Sequence, residues 1–366
     1  MIIRSLEIFK VRIPLYRPFK TALRTVEACE DLIVKLNIDD GIFGFGSAAP
    51  TVAITGESHE TMIYAIKNYI APALIGVDLS HRHLVSALLK SSVAKNTSAK
   101  AAVDMAIFDA WCKIHKLSLA TALGGEPKVL TTDMTISLNT PTIMLEHAKE
   151  AMTQGFEALK IKVGGSVSED LDRIKTIVTG TDNQLEYRID ANQAWDADDA
   201  IKICGILADL AFNIPFIEQP VRAHDLEGLK KVHKNSPLRI LADESCFSFQ
   251  DALKLVQMDA CDLLNVKLMK TGSLEEAIQI IDLAHQAGKE CMISSMLESK
   301  MGIACACALA AARPEISFLD LDASHMQSKD PFNGGISISG PQITMHQGYG
   351  HGITFIDGLI PIDNVK

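Results

Sequence analysis

The 366-residue chain carries 45 acidic against 35 basic side chains, a formal charge of −10, and no run of Lys or Arg. That balance excludes nucleic acid or an anionic membrane surface as the main partner and leaves a small molecule. The length calls for two domains, or one large barrel with an appendage.

The eight cysteines (Cys29, Cys112, Cys204, Cys246, Cys261, Cys291, Cys305, Cys307) form no CxxC pair, and they read as reduced core residues of a cytoplasmic protein. Met1 to Glu7 lacks the apolar stretch and small-residue cleavage site of a signal peptide, and the longest uncharged small-residue stretch, Gly302 to Ala312, is too short to cross a bilayer.

In chain order, Ile2 to Pro14 and Asp31 to Leu36 read as strands, and the turn Asp39-Asp40-Gly41 leads into a third, Ile42 to Phe45. This is an antiparallel meander. Helical spacing follows at about Met62 to Leu74, Leu84 to Leu89 and Ala99 to His115, and Gly124-Gly125 closes a small α+β domain over residues 1–125. From Thr132 the chain repeats strand, polar break and amphipathic helix. The expected strands are Met134 to Leu138, Ala158 to Val163, Tyr187 to Ala191, Phe216 to Gln219, Ile240 to Asp243, Leu263 to Leu268, Cys291 to Ser294 and Ser317 to Leu321. Eight units with a period near 25 residues predict an α/β barrel of the (β/α)8 type over residues 126–340. A doubly wound sheet is the weaker alternative, because no Gly-rich phosphate fingerprint follows the first strand. Residues 341–366 add no strand-helix unit and are expected to pack back on the first domain.

Asp190, Glu218 and Asp243 each end one of these apolar runs, which places three carboxylates at the same end of successive parallel strands. Hard oxygen donors without a His or Cys cluster select Mg²⁺, or Mn²⁺, over zinc. Any one of these acids alone would be an ordinary strand-end cap, but three in register form a metal site. Lys160 and Lys162 stand at i and i+2 of the second strand, and so share a face. On a solvated strand the pair would be unremarkable surface lysines. Inside a barrel, two ammonium groups roughly 6 to 7 Å apart repel by about 2.5 kcal/mol, which would bring one toward neutrality, as a base requires. Lys267 faces them from the sixth strand. A metal that holds a substrate carboxylate and stabilises its enediolate, with lysines on two faces, can invert a carbon centre.

The order KxK, Asp, Glu, Asp, Lys behind an α+β domain resembles the muconate-lactonising subgroup of the enolase superfamily. Within it the chain is most similar to the dipeptide epimerases, the Ala-Glu enzymes among them. The resemblance runs through Pro18 to Thr25, Ile54-Thr55-Gly56, Ala158 to Gly164, Asp190 to Gln193 and Asn265 to Gly272. It implies a modified (β/α)7β TIM-type barrel under a capping domain, whose loops around Phe19 to Arg24 and Ile54 to Gly56 close the barrel mouth. It implies Lys162 and Lys267 as the two catalytic bases and Lys160 as a partner of the reacting carboxylate. Asp320 and Asp322, on one face of the eighth strand, would hold the ammonium group of a dipeptide substrate. Two carboxylates beside a dry pocket need a cation, which muconate and succinylbenzoate lack; as a purely structural feature, either could cap the following turn. Arg24 would pair an acidic second residue. Thr135 and the loop Ser295-Met296-Leu297-Glu298 would border the substrate, with Asn192 behind the metal ligands. A homo-oligomer is expected. Two departures, Gly272-Ser273 for the family's GG and no Glu in Gly46 to Pro50, bear on loop shape.

The alternatives within the mechanism are N-acylamino acid racemase, o-succinylbenzoate synthase and muconate cycloisomerase. Outside it stand a metal-free Schiff-base aldolase and a non-catalytic binding barrel.

Overall fold

The computed structural model describes residues 1–365. The N-terminal meander comprises β1 (Ile3–Lys20), β2 (Thr25–Ile38) and β3 (Phe43–Ala48), paired antiparallel with Leu6 opposite Leu36 and Leu32 opposite Ala48. Strand β1 runs past Pro14, where it was expected to stop. The register shifts between Pro14 and Phe19 and resumes with Phe19 opposite Val26, so Pro14 borders the interruption and Pro18 lies within it, where a missing N–H costs the ladder least. The β1–β2 tip reaches the barrel: Leu138 N donates to Lys20 O at 2.9 Å, and a Cβ on Gly164 would come within 2.5 Å of Ala22 Cβ.

Helix Thr97–His115, rich in Ala and free of Gly and Pro, lies on this sheet. The approach is close because β3 offers no side chain there. A Cβ on Gly46 would meet Ala102 O at 1.8 Å, and one on Gly44 would meet Ala106 O at 2.0 Å. Backbone carbonyls cannot swing aside as a side chain can. Gly46→Ala should therefore lower stability by roughly 1–3 kcal/mol, measured as a shifted urea midpoint; an unchanged midpoint would show that the helix can retreat without cost.

After a short strand β4 (Val129–Thr131) come the eight expected parallel strands: β5 (Met134–Ile136), β6 (Ala158–Lys162), β7 (Glu186–Asp190), β8 (Ile217–Glu218), β9 (Ile240–Ala242), β10 (Leu263–Val266), β11 (Glu290–Ser294) and β12 (Ile316–Asp320). They form one sheet in sequential order from β5 to β12. Helices follow the first seven. After β12 a 3-10 turn, Ala323–Met326, leads into further strands, and no eighth helix follows among the described residues, so the architecture is the (β/α)7β form.

The gap between β12 and β5 is bridged by side chains. Thr135 N donates to Asp322 Oδ2 at 2.6 Å, Leu321 N donates to Thr132 Oγ1 at 2.8 Å, and Arg188 reaches both Leu319 O (2.7 Å) and Asp133 (2.8 Å). Such bonds can replace a ladder because each satisfies a backbone or carboxylate group that would otherwise be buried unpaired.

The C-terminal region mixes short strand pairs with contacts to the first domain, where Ile353 and Ile356 share a core cluster with Val11, Ile13 and Phe45. β13 (Phe332–Gly334) pairs with β16 (Ile353–Ile356), while β14 (Ile336–Ser339), β15 (Gln342–Met345) and β4 form a small antiparallel sheet. Only β17 (Ile360–Val365) joins the N-terminal sheet, as its outer strand beside β1, with Leu6 opposite Val365. No helix among the described residues is long and apolar enough to cross a membrane.

Candidate active site

The alternation of β6 turns Leu159 and Ile161 to the surrounding apolar layer, where both are fully buried, and sends Lys160 and Lys162 to the barrel axis. Asp190 and Glu218 end β7 and β8, while Asp243 and Lys267 follow β9 and β10 by one residue. Asp320 ends β12 and Asp322 lies two residues on. All are buried. Lys162 and Lys267 sit on the second and sixth strands of eight, which puts them on opposite sides of the ring.

Each ammonium rests on carboxylates. Lys160 Nζ lies 2.7 Å from Glu218 Oε2, 2.7 Å from Asp320 Oδ2 and 3.2 Å from Asp190 Oδ2; Lys162 lies 2.5 Å from Asp190 and Lys267 lies 2.8 Å from Asp243. These acids come from other strands and stand outside the repulsion expected within the KxK pair. Burial pulls the Lys160 ammonium down, but Asp320, Glu218 and Asp190 outweigh it and hold it well above the ordinary lysine value. Burial likewise opposes the charge on Lys267, yet Asp243 carries it above its usual range. The carboxylates respond in kind. Against burial, Lys162 and Lys160 lower Asp190, and Lys267 and Lys270 lower Asp243. Glu218 is instead pushed up to about 7, by burial and by its neighbours Asp190 and Asp243.

Several participants escaped the sequence reading. Lys270, fully buried, donates to Asp243 Oδ1 (2.6 Å) and to the carbonyls of Asp243 and Asn265. Asn265 in turn donates to Glu218 Oε1 at 2.9 Å, and Ser294 fixes Asn265. Glu244 accepts from Asn192 Nδ2 at 3.2 Å, and burial together with Asp243 and Asp190 raises it to about 8. Arg188, two residues before Asp190 and so on the same face of β7, pairs with Asp133. The i, i+3 spacing of Lys267 and Lys270 and the i, i+2 spacing of Arg188 and Asp190 were the available signals.

All the predicted site residues except Asp190, Glu218 and Glu298 line one pocket of about 60 Å³. Asp190 and Glu218 are wholly buried against Lys160. Glu298 does not border the pocket: its Oε1 accepts Met296 N at 2.9 Å, and its other oxygen occupies the space a side chain at 302 would need. Burial, then the charge of Asp31, raises it to about 8. Arg24 is half-buried on the pocket wall with no carboxylate within 4.0 Å among the described residues, and burial lowers its guanidinium.

Two groups of acids could hold cations. Among the described residues, one trio brings its ligand atoms within 4.8 Å of one another: Asp133, Asp320 and Asp322. Asp190, Glu218 and Asp243 do not come together that closely, yet they fit a hard dication. All three are buried and oxygen-only, Glu218 Oε2 accepts no well-directed hydrogen bond, and a lysine ammonium lies within reach of both Glu218 and Asp190.

A capped α/β barrel with three strand-end carboxylates between opposed lysines defines a class of proton-transfer enzyme. The family model described as "Mandelate racemase / muconate lactonizing enzyme, N-terminal domain" matches residues 3–124, and "Enolase C-terminal domain-like" matches residues 143–358. The chain belongs to this mandelate racemase/muconate-lactonizing family of the enolase superfamily. It is 40% identical to the L-Ala-D/L-Glu epimerase of Clostridium acetobutylicum, over 98% of this chain and 100% of that protein. It superposes on a substrate-liganded complex of the Bacillus subtilis L-Ala-D/L-Glu epimerase with a TM-score of 0.95, at 40% identity, covering 97% and 99% of the two chains. On the Enterococcus faecalis dipeptide epimerase complexed with Mg and L-Leu-L-Tyr the TM-score is 0.93, at 37% identity, covering 97% and 100%.

Proposed function

We propose that the chain is a Mg²⁺-dependent dipeptide epimerase, an isomerase that moves a proton off and onto the α-carbon of the C-terminal residue of a dipeptide such as L-Ala-L-Glu. The observation that carries the dipeptide reading is the charge around β12. Asp133, Asp320 and Asp322 are all buried, with Arg188 on Asp133 and Lys160 on Asp320 but, among the described residues, no side-chain cation within 4.0 Å of Asp322. Burial and mutual repulsion raise Asp322 to about 6 and Asp133 well above the carboxylate range. A substrate ammonium would supply the cation this corner lacks; muconate and succinylbenzoate have none, and an N-acyl substrate has none at its α-nitrogen.

Asp190, Glu218 and Asp243 would hold the Mg²⁺, with Asn265 and Asn192 orienting ligands or their neighbours. A bound dication would supply positive charge that acidifies the α-proton of a carboxylate beside it. Lys162 removes the α-proton on one face and Lys267 delivers one on the other, with roles exchanged in reverse. Lys160 helps hold the reacting carboxylate. Thr135 fixes Asp322 through its backbone N–H. Arg24, a half-buried guanidinium with no partner acid among the described residues, fits an acidic second side chain. Phe19, Ile54, Ser295, Met296 and Leu297 complete the walls.

Residues 1–125 with the C-terminal strand act as the cap and 126–340 as the catalytic barrel. Free, buried cysteines suit a reducing cytoplasm. Exposed Tyr64, Tyr69 and Phe355 support self-association as a homo-oligomer.

In D₂O with Mg²⁺, L-Ala-L-Glu should exchange its glutamyl α-hydrogen and yield L-Ala-D-Glu, followed by mass spectrometry and chiral separation. Chelation with EDTA should cut the rate by at least about a hundredfold and added Mg²⁺ should restore it. Activity that survives EDTA and is trapped by borohydride would assign a Schiff-base enzyme instead.

A further inference from the structure

The catalytic pocket, at about 60 Å³, has little room beyond the reacting groups. Phe19, Thr135 and Met326 also line a second cavity of about 550 Å³. That volume is well above the roughly 150 Å³ that accommodates a benzene ring. The second cavity lies between the end of β1 and helix Pro141–Thr153. Met134, Ile136 and Ala151 give it an apolar lining, and His147, Gln154 and the Arg17–Glu150 ion pair (2.7 Å) give it polar groups.

The shared wall adjoins the acids assigned to the substrate ammonium, since Thr135 N is bonded to Asp322 at 2.6 Å. An amine held there is the end of the peptide, so no main chain can continue past it. What is left to occupy the neighbouring cavity is the side chain of the first residue. We infer that the 550 Å³ cavity is the subsite for that side chain, and that this enzyme takes dipeptides whose first residue is large, with an apolar body and an aromatic or polar end. The inference rests on the dipeptide epimerase reading and adds to it a first-residue preference beyond Ala.

The test compares L-Tyr-L-Glu and L-Met-L-Glu with L-Ala-L-Glu, using the Mg²⁺-loaded full chain and α-hydrogen exchange in D₂O. The wild type should turn over the larger substrates with kcat/KM within about tenfold of Ala-Glu or better, the range that a hydrophobic pocket contact sets. His147→Trp, which fills the cavity away from the reacting groups, should lower kcat/KM for Tyr-Glu by roughly tenfold or more, mainly through KM, and leave Ala-Glu unchanged. Gln154→Trp, at an exposed helix end, repeats the test where folding is least at risk. Ala-Glu turnover with both larger substrates more than about tenfold poorer would overturn the subsite while leaving the epimerase reading intact. A tryptophan variant that slows all three substrates alike would do the same. No exchange with any of the three would overturn the epimerase reading and the subsite with it.

Discussion

Lys162→Ala and Lys267→Ala should each abolish epimerisation, with kcat reduced by about 10²- to 10⁴-fold, the contribution typical of a positioned general base. The two variants should differ in what survives. With one lysine gone the other still faces one side of the α-carbon, so each variant should wash deuterium into a single epimer, and the two should choose opposite epimers. That outcome follows from their placement on the second and sixth of eight strands. Removing a buried cation also strips Asp190 or Asp243 of a partner, which by itself can cost roughly 3–5 kcal/mol of stability. Lys162→Arg separates the effects, because it keeps a positive charge beside Asp190 but cannot lose a proton at working pH. It should melt near the wild-type temperature and still be inactive. If either alanine variant epimerises at a rate within tenfold of the wild type, the two-base assignment is wrong.

Asp320→Asn and Asp322→Asn should each lower kcat/KM for free dipeptides by roughly ten- to a hundredfold, the worth of a hydrogen bond to a charged group. N-acetyl-L-Ala-L-Glu, which has no ammonium, is the control. The wild type should discriminate strongly against it, and the variants should narrow that ratio. The two substitutions differ in side effects: Asp320 also holds Lys160 at 2.7 Å, whereas Asp322 holds the Thr135 amide. A fall common to both, specific to substrates with a free amine, therefore reports on the ammonium. Unchanged kcat/KM in both variants would remove the basis for choosing a dipeptide.

Much of this site was legible before any fold was known. A strand buried between an apolar layer and a barrel axis must alternate, so a charged residue at its end can point only inward. This is why Lys160, Lys162, Asp190 and Glu218 could be placed from spacing alone. Expected strand bounds differ from the structure by one or two residues, as at Met134–Ile136, since a ladder ends where its partner ends. Lys270 was harder to see. It belongs to a single helical turn, Leu268–Thr271, after β10, and only that turn folds its side chain back onto Asp243. Asp133 gains its meaning from the β12–β5 seam, a contact across nearly two hundred residues that no local pattern encodes. The surroundings of the KxK lysines were hidden for a related reason. The repulsion was derived from the strand alone, while the compensating acids arrive from β7, β8 and β12.

The place of β17 outside β1 has a consequence for how the molecule is assembled. Bringing Val365 beside Leu6 ties a loop of almost the entire chain, yet closure entropy grows only logarithmically and comes to about 5 kcal/mol for a loop of this size. The toll falls on kinetics: contacts so distant in sequence form late. Until they do, β1 presents an open edge with Leu6 and Ile8 on it, a template for pairing with another nascent molecule. Refolding yield should therefore fall with protein concentration well before the barrel itself becomes unstable.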